Sequence, residues 1–328
     1  MKRIVMESPR KSKIVEMDIP KPNDDQLLVK VTYTGMCHSE WYPWSTAFNG
    51  QLFGHEPVGV VAEVGKNVTG FRVGDRVTGL GGGYAEYILM SPRCTVHVPD
   101  NLSDEDAIAE PLSCLLSAAS KMPILVPGDP VAVVGAGYMG LGMISLFKLK
   151  GAGKIVAVDP REEARENALR FGATEVYAPE ELPADYILNW NNWGGEDLTR
   201  SVTDNHIFEL GFRNVMEFAG TESALRLAGE MVSAHGLLCV GGYHNDGPRS
   251  VDFMLWNVKA MTALSAHERR TDFQTDCCRN ALDLLSSGKW DFKGVTNHIY
   301  SMEDFDLANE EMERKPKGYI KAAIRCAK

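Results

Sequence analysis

The sequence predicts an α/β protein in two parts: a doubly wound parallel-sheet domain and a small barrel-like β domain. Three observations carry this. Residues 130–159, PVAVVGAGYMGLGMISLFKLKGAGKIVAVD, read as strand, glycine turn, helix and strand. The first hundred or so residues break into short alternating runs separated by glycine and proline, as a barrel-like β domain requires. From Glu162 onward, helical and strand patterns alternate.

Within the first motif, Val131 to Val134 is the strand, Gly135-Ala136-Gly137-Tyr138-Met139-Gly140 the turn, and Leu141, Ile144 and Leu146 to Leu149 the apolar face of the helix. Ile155 to Val158 is the second strand. Asp159 lies 19 residues beyond Gly140, where a dinucleotide-binding βαβ unit places the carboxylate that meets the adenosine ribose. Gly135 makes the tight turn, Gly137 lets the backbone approach a pyrophosphate, and Gly140 lets helix and strand pack closely. The phosphate then sits on the helix N-terminus, where unpaired N–H groups favour an anion. Asp159 predicts NAD over NADP by repelling a 2′-phosphate, and Arg161 is the nearby cation that works against it. The uncharged run Val131 to Phe147 is near the lower bound of a membrane span, roughly 17 residues; its glycines and the matching second strand argue for the nucleotide unit.

Ahead of this unit, Arg3 to Met6, Lys13 to Met17 and Gln26 to Thr32 read as strands of β-hairpins. Gly35 to Glu40 breaks the alternation and an aromatic cluster follows, Trp41, Tyr42 and Trp44. Gly54-His55-Glu56-Pro57 opens another alternating stretch that runs to Val73-Gly74-Asp75-Arg76-Val77, and Tyr84 to Leu89 is a further strand. Residues 103–121 begin with the acid-rich Ser103 to Asp106, as a helix start prefers. Pro123 and Pro127-Gly128 mark the entry to the nucleotide domain. Beyond it, Glu162 to Phe171 is a helix, Gly172 to Thr174 a cap and Glu175 to Tyr177 a strand. Asn214 to Gly220, Glu222 to Ser233 and Leu237 to Gly242 repeat strand, helix, strand. Cys277 to Ser286 reads as a helix and Tyr319 to Ile324 as a short strand. Asn189 to Gly195, with Trp190 and Trp193, is a loop without an assigned role. His97, His206, His235, His244 and His298 carry no partner pattern.

Composition excludes several classes. A formal charge of −10 over 328 residues argues against a nucleic-acid or anionic-membrane partner. The first twenty residues hold charges throughout and no apolar core of signal-peptide length, so a cytoplasmic setting is expected. Seven cysteines, scattered singly except for Cys277-Cys278, form no disulfide framework, which suits free thiols or a metal site.

Cys37, His55, Glu56 and Glu110 are the candidate metal ligands. A thiolate, an imidazole and a carboxylate from separated positions, with one place left open, describe a catalytic zinc site; a closed structural site wants four ligands, usually cysteines at CxxC spacing, which the chain lacks. Spacing alone is a weak signal, because a lone cysteine ordinarily serves as a small hydrophobe.

Gly35 to Glu40, Gly54-His55-Glu56-Pro57-Val58-Gly59 through Gly74-Asp75-Arg76-Val77, Gly82 to Tyr87, Glu110-Pro111-Leu112-Ser113 and Gly135 to Gly140 together resemble the zinc-dependent medium-chain dehydrogenases/reductases, most closely their polyol (sorbitol) dehydrogenase branch. The resemblance implies a Rossmann nucleotide domain, residues 123–266, set between two parts of a GroES-like catalytic domain, residues 1–122 and 267–328. It implies Cys37 and His55 as zinc ligands, Glu56 as the ligating carboxylate, Glu110 as a second carboxylate beside the metal, directly or through water, and Ser39 as the hydroxyl that passes a proton outward toward Tyr42. Phe218 to Gly220 and Val240 to Tyr243, including Val240, Gly241 and Gly242, would line the nicotinamide, and Lys321 would touch the pyrophosphate. His267 to Arg270 resembles a cleft-closing segment, and a solvated charged turn is the simpler reading of it. The four-cysteine lobe common among zinc alcohol dehydrogenases is missing after Val77, so one catalytic zinc and no structural zinc is expected. His38 and Tyr42 also differ from the residues common in the polyol branch. The expected substrate is a small alcohol, polyol, sugar or cyclitol oxidised with NAD, in a homo-oligomer, dimer or tetramer. Two alternatives share the fold: a zinc-free enoyl or quinone-type reductase, which does not need the ligand set, and an inactive nucleotide-binding protein, against which the intact ligands and Ser39 speak.

Overall fold

The computed structural model describes residues 1–122, 125–193 and 210–327. Pro123, Gly194, Gly195 and His206 lie outside them. The chain divides into two compact units, Met1–Leu116 with Glu268–Lys328, and Ser117–His267.

The second unit is built on a six-stranded, all-parallel sheet. Its strands in chain order are β8 (Pro130–Val134), β9 (Lys154–Val158), β10 (Glu175–Tyr177), β11 (Phe212–Glu217), β12 (Val232–Val240) and β13 (Thr262–Ser265), and they lie in the order β10-β9-β8-β11-β12-β13. That is a Rossmann arrangement, in which the order reverses between β8 and β11 and a ligand crevice opens beyond the carboxyl ends of the strands. The helix Tyr138–Leu149 follows β8 directly. Val131 to Val134 and Ile155 to Val158 are buried, because helices cover both faces of such a sheet and its strands carry unbroken apolar runs.

In the first unit, β3 (Leu27–Gly35) pairs antiparallel with β4 (Pro57–Val64) and with β6 (Tyr87–Met90), and the sheet continues through β5 (Arg76–Gly79) and β7 (Thr95–His97). The C-terminal β15 (Lys321–Arg325) joins its other edge, Ala323 opposite Gly35, with β14 (Thr296–Ser301) beyond it. The last strands of the chain thus complete a sheet centred on β3, as in a GroES-like domain. β1 (Lys2–Ser8) and β2 (Lys11–Glu16) form a separate hairpin.

Several elements differ from their expected bounds. The helix after Ser103 runs only over Ala109–Ser120; Pro111 fits its first turn, where no intrahelical N–H is lost, while Ser103 and Asp106 bond each other in a preceding turn. The helix from Glu222 ends at Met231, and Val232 already starts β12. The helix expected from Cys277 begins at Thr271, in a polar turn that apolar periodicity does not mark. The helix Phe305–Arg314 and strand β14 are additions. Trp44 is fully buried in the core with Met6, Phe305 and Met312, and its indole donates to Asp306 at 3.1 Å. It is therefore a core anchor for the Trp41–Ser45 helix, whereas Tyr42 of the same aromatic cluster is exposed.

No helix among the described residues is long and apolar enough to cross a membrane.

Candidate metal centre

The ligating segments converge because β3 and β4 are neighbours. β3 ends at Gly35, and Cys37 leads into a short turn, His38–Glu40. His55 and Glu56 immediately precede β4, and the Gly35 amide donates to the Glu56 carbonyl at 2.9 Å. A Cβ on Gly35 would lie 2.0 Å from Glu56 Oε2, so the absence of a side chain there is what gives that carboxylate its room. Gly54 supplies a left-handed turn, φ +100°, against the backbone of Gly83 and Tyr84.

Ligand atoms of Cys37, His55 and Glu56 all lie within 4.8 Å of one another. Glu40 holds the imidazole: its Oε1 is 2.7 Å from His55 Nδ1 and accepts the Gly54 amide at 2.8 Å, while its Oε2 accepts the Tyr84 hydroxyl at 2.8 Å. With Nδ1 so engaged, Nε2 is the nitrogen left for a metal. Burial opposes a charge on His55, but the Cys37 sulfur and the carboxylates of Glu40 and Glu56 outweigh it and raise the imidazole above its ordinary value.

Glu56 is 1% exposed, and neither of its oxygens accepts a well-directed hydrogen bond. The Lys321 ammonium lies 2.7 Å from Oε2 as an ion pair, with its hydrogen bond directed to the Met36 carbonyl at 3.0 Å. Buried carboxylate oxygens left in this condition are costly unless a cation completes them. A cysteine sulfur, an imidazole nitrogen and such a carboxylate are a donor set that fits zinc, supplying three of the four donors of a tetrahedral ion.

Lys321 therefore has a different place from the one the resemblance implies. It is buried, and its amine balances Glu56, so a pyrophosphate role is not carried forward. Glu110 stands on the first turn of its helix, outside the 4.8 Å group; its Oε1 accepts from Cys114 Sγ at 3.5 Å, and Gln274 donates to the same sulfur at 3.5 Å. Burial and then Glu56 push the Glu110 carboxyl up to about 7. Ser39 Oγ donates to Cys37 Sγ at 3.1 Å, and Tyr42 is exposed on the next short helix.

In the second unit, each glycine of the turn has a distinct reason. Gly135 has φ +95°, and a Cβ there would meet Ala219 N at 2.6 Å. A Cβ on Gly140 would lie 1.8 Å from the Gly135 carbonyl, whereas one on Gly137 would meet nothing within 4 Å. Tyr138 and Met139 open the helix, whose N-cap, Gly137, has no side chain to occupy the first amides. Asp159, 5% exposed, directly follows β9 and accepts the Ala136 amide at 2.9 Å. Arg161 forks onto the same carboxylate, Nε to Oδ1 and Nη2 to Oδ2, both at 3.1 Å.

At the carboxyl end of β11, Glu217 Oε1 accepts the amides of Ala219 and Gly220 at 2.7 and 2.6 Å. Its Oε2 meets His244 Nε2 at 3.1 Å, and Arg249 Nε donates to His244 Nδ1 at 3.0 Å. This bonding assigns the proton to Nε2. The network pins Phe218–Gly220 beside Val240–Gly242, and the Phe218 ring lies where a Gly241 side chain would be, 2.3 Å from its Cβ position. Glu40 and this network are what the sequence reading missed. Glu40 was in view three residues after Cys37, but His244 gave no signal, since its partner is 27 residues away.

The chain matches the alcohol dehydrogenase GroES-like domain over residues 23–100 and the zinc-binding dehydrogenase family over residues 139–287. It is 27% identical to sorbitol dehydrogenase of Bacillus subtilis (strain 168), covering 94% of this chain and 93% of that one. It is 29% identical to L-threonine 3-dehydrogenase of Caldanaerobacter subterraneus subsp. tengcongensis, covering 94% of each. Among solved structures, alcohol dehydrogenase TADH from Thermus sp. ATN1 superposes with a TM-score of 0.80 at 25% identity over the whole of both chains.

Proposed function

We propose that the chain, which matches the alcohol dehydrogenase GroES-like and zinc-binding dehydrogenase families over residues 23–100 and 139–287, is a zinc-dependent medium-chain dehydrogenase that oxidises a secondary alcohol of a polyol, sugar or cyclitol with NAD as hydride acceptor. The observation that carries this reading is the convergence of Cys37, His55 and Glu56 within 4.8 Å, with Glu56 buried and its oxygens lacking directed hydrogen bonds. Similarity to sorbitol dehydrogenase supports the polyol class.

Cys37, His55 and Glu56 would hold zinc, with Glu110 as the second carboxylate near them. When bound, the ion supplies Lewis acidity that lowers the pKa of a hydroxyl placed at its open position. Ser39, 3.1 Å from the Cys37 sulfur, would be the first acceptor for the proton such a hydroxyl loses, and Tyr42, exposed on the following short helix, its exit toward solvent. Lys321 pairs the buried Glu56 carboxylate, its Nζ 2.7 Å from Oε2. Asp159 and the amides after Gly137 seat the dinucleotide, and the Glu217–His244–Arg249 network fixes the Phe218–Gly220 and Val240–Gly242 segments that line the nicotinamide.

The test is NADH formation from a panel of polyols, sugars, cyclitols and amino alcohols, on zinc-loaded and chelator-stripped protein, with metal content measured by mass spectrometry. Turnover that returns only with zinc supports the reading. Equal turnover after complete stripping ends it.

A further inference from the structure

Asp159 is the group that should accept the adenosine ribose hydroxyls, yet its carboxylate is already full. An ionised carboxylate offers about four lone-pair positions. Oδ2 accepts the Ala136 amide at 2.9 Å and Arg161 Nη2 at 3.1 Å; Oδ1 accepts the Arg161 amide at 2.9 Å and Arg161 Nε at 3.1 Å. Two of these donors are backbone amides fixed by the glycine turn and by the start of the next helix. The other two belong to one guanidinium, on a side chain 38% exposed. Only that fork is free to yield to an incoming hydroxyl.

We infer that Arg161 is the residue that sets the choice between NAD and NADP in this chain, and that it makes the choice a weak one. This rests on the dinucleotide reading of the glycine turn. A lone carboxylate at this position excludes a 2′-phosphate by repulsion. Here the repelling charge is neutralised by a bidentate partner two residues away. With NAD, the ribose hydroxyl displaces the fork and takes its place on Asp159. With NADP, the displaced guanidinium stays beside the 2′ position and pairs the phosphate, a geometry that suits a planar fork. Arg165 adds a second positive charge at the same strand end, its Nη1 donating to the carbonyls of Asp159 and Pro160 at 2.8 and 2.9 Å. Glu162 and Glu163, on the first helical turn, oppose it in sign, so the balance depends on Arg161.

The experiment is direct titration of the purified protein with NADH and with NADPH, followed by nucleotide fluorescence, for the wild type, Arg161→Ala and Arg161→Lys. In the wild type the two dissociation constants fall within about tenfold of each other. In Arg161→Ala the ratio of NADPH to NADH dissociation constants rises by at least about tenfold, the effect of losing one charge-assisted hydrogen bond, and Arg161→Lys falls between. An unchanged ratio in Arg161→Ala, with NADH still bound, overturns the inference while leaving the dinucleotide reading intact. If neither nucleotide binds the wild type, both fall together. Because the readout is binding, it does not depend on zinc or on the substrate.

Discussion

Glu40 Oε1 stands 2.7 Å from His55 Nδ1, and Glu40 is itself fixed by the Gly54 amide and the Tyr84 hydroxyl. The three contacts leave the carboxylate little freedom, so the imidazole plane and its tautomer are set before any metal arrives. Second partners of this kind are worth roughly 10–100-fold in metal affinity. Glu40→Gln preserves the shape and removes the charge, and it is expected to weaken zinc binding by about that factor. Competition against a chelator of known affinity measures it, with the melting temperature as a check on folding. Wild-type affinity in the variant would take the orienting role away from Glu40.

The glycine turn makes a paired prediction. Gly140→Ala forces a methyl to 1.8 Å from the Gly135 carbonyl and must push helix and strand apart, whereas Gly137→Ala places one in open space. Gly140→Ala is therefore expected to lower stability by about 1–3 kcal/mol, in the range for overpacking. Gly137→Ala should melt like the wild type but bind NADH at least about tenfold more weakly, since its methyl stands where the pyrophosphate approaches. Thermal melts and nucleotide titration on the two variants separate the roles. Equal NADH affinity in Gly137→Ala and the wild type would move the phosphate elsewhere.

What was legible in the sequence was what is local. The turn at Gly135, its apolar strands and the acid at Asp159 sit within one stretch of chain, so spacing alone gave a strand–helix–strand unit that the sheet order bears out. Cys37, His55 and Glu56 could be named from residue type and resemblance, but only the pairing of β3 with β4 brings them together. Lys321 was beyond reach: its amine meets Met36 across 285 residues of chain, through the pairing of β15 with β3. The core place of Trp44 was out of reach in the same way, because its partner Asp306 lies 262 residues away on the helix Phe305–Arg314.

The Lys321–Glu56 pair, 5% and 1% exposed, gives a third prediction. Removing one member of a buried pair leaves the other unpaired, at a cost of about 3–5 kcal/mol. Lys321→Met is expected to lose roughly that much stability without metal and to recover part of it when zinc supplies the missing positive charge. The stabilisation produced by zinc should thus be larger in the variant than in the wild type, read from melts with chelator and with added zinc. Identical zinc-induced shifts would mean that Glu56 does not share a site with the metal.

Lys259 gives the last prediction. Its side chain is fully buried, and its amine donates to the carbonyls of Gly229, Glu230 and Val232 at 2.8, 2.9 and 2.8 Å. These are carbonyls at and just past the end of the helix Glu222–Met231, where a cation is favoured. Burial nevertheless lowers the amine to about 7, with Glu230 pulling it back up. An unfolded lysine titrates near 10.4. Between these values the unfolded chain binds the extra proton, so this residue's contribution makes stability rise with pH across that window; below about 7 both states are charged and the cost is constant. Lys259→Met removes the titration and strands the carbonyls, costing on the order of 3 kcal/mol. The gap in stability between wild type and variant is therefore expected to widen from pH 7 to pH 10, measured by denaturant unfolding at each pH. A gap that stays constant would mean that the three carbonyls keep the amine charged against its burial.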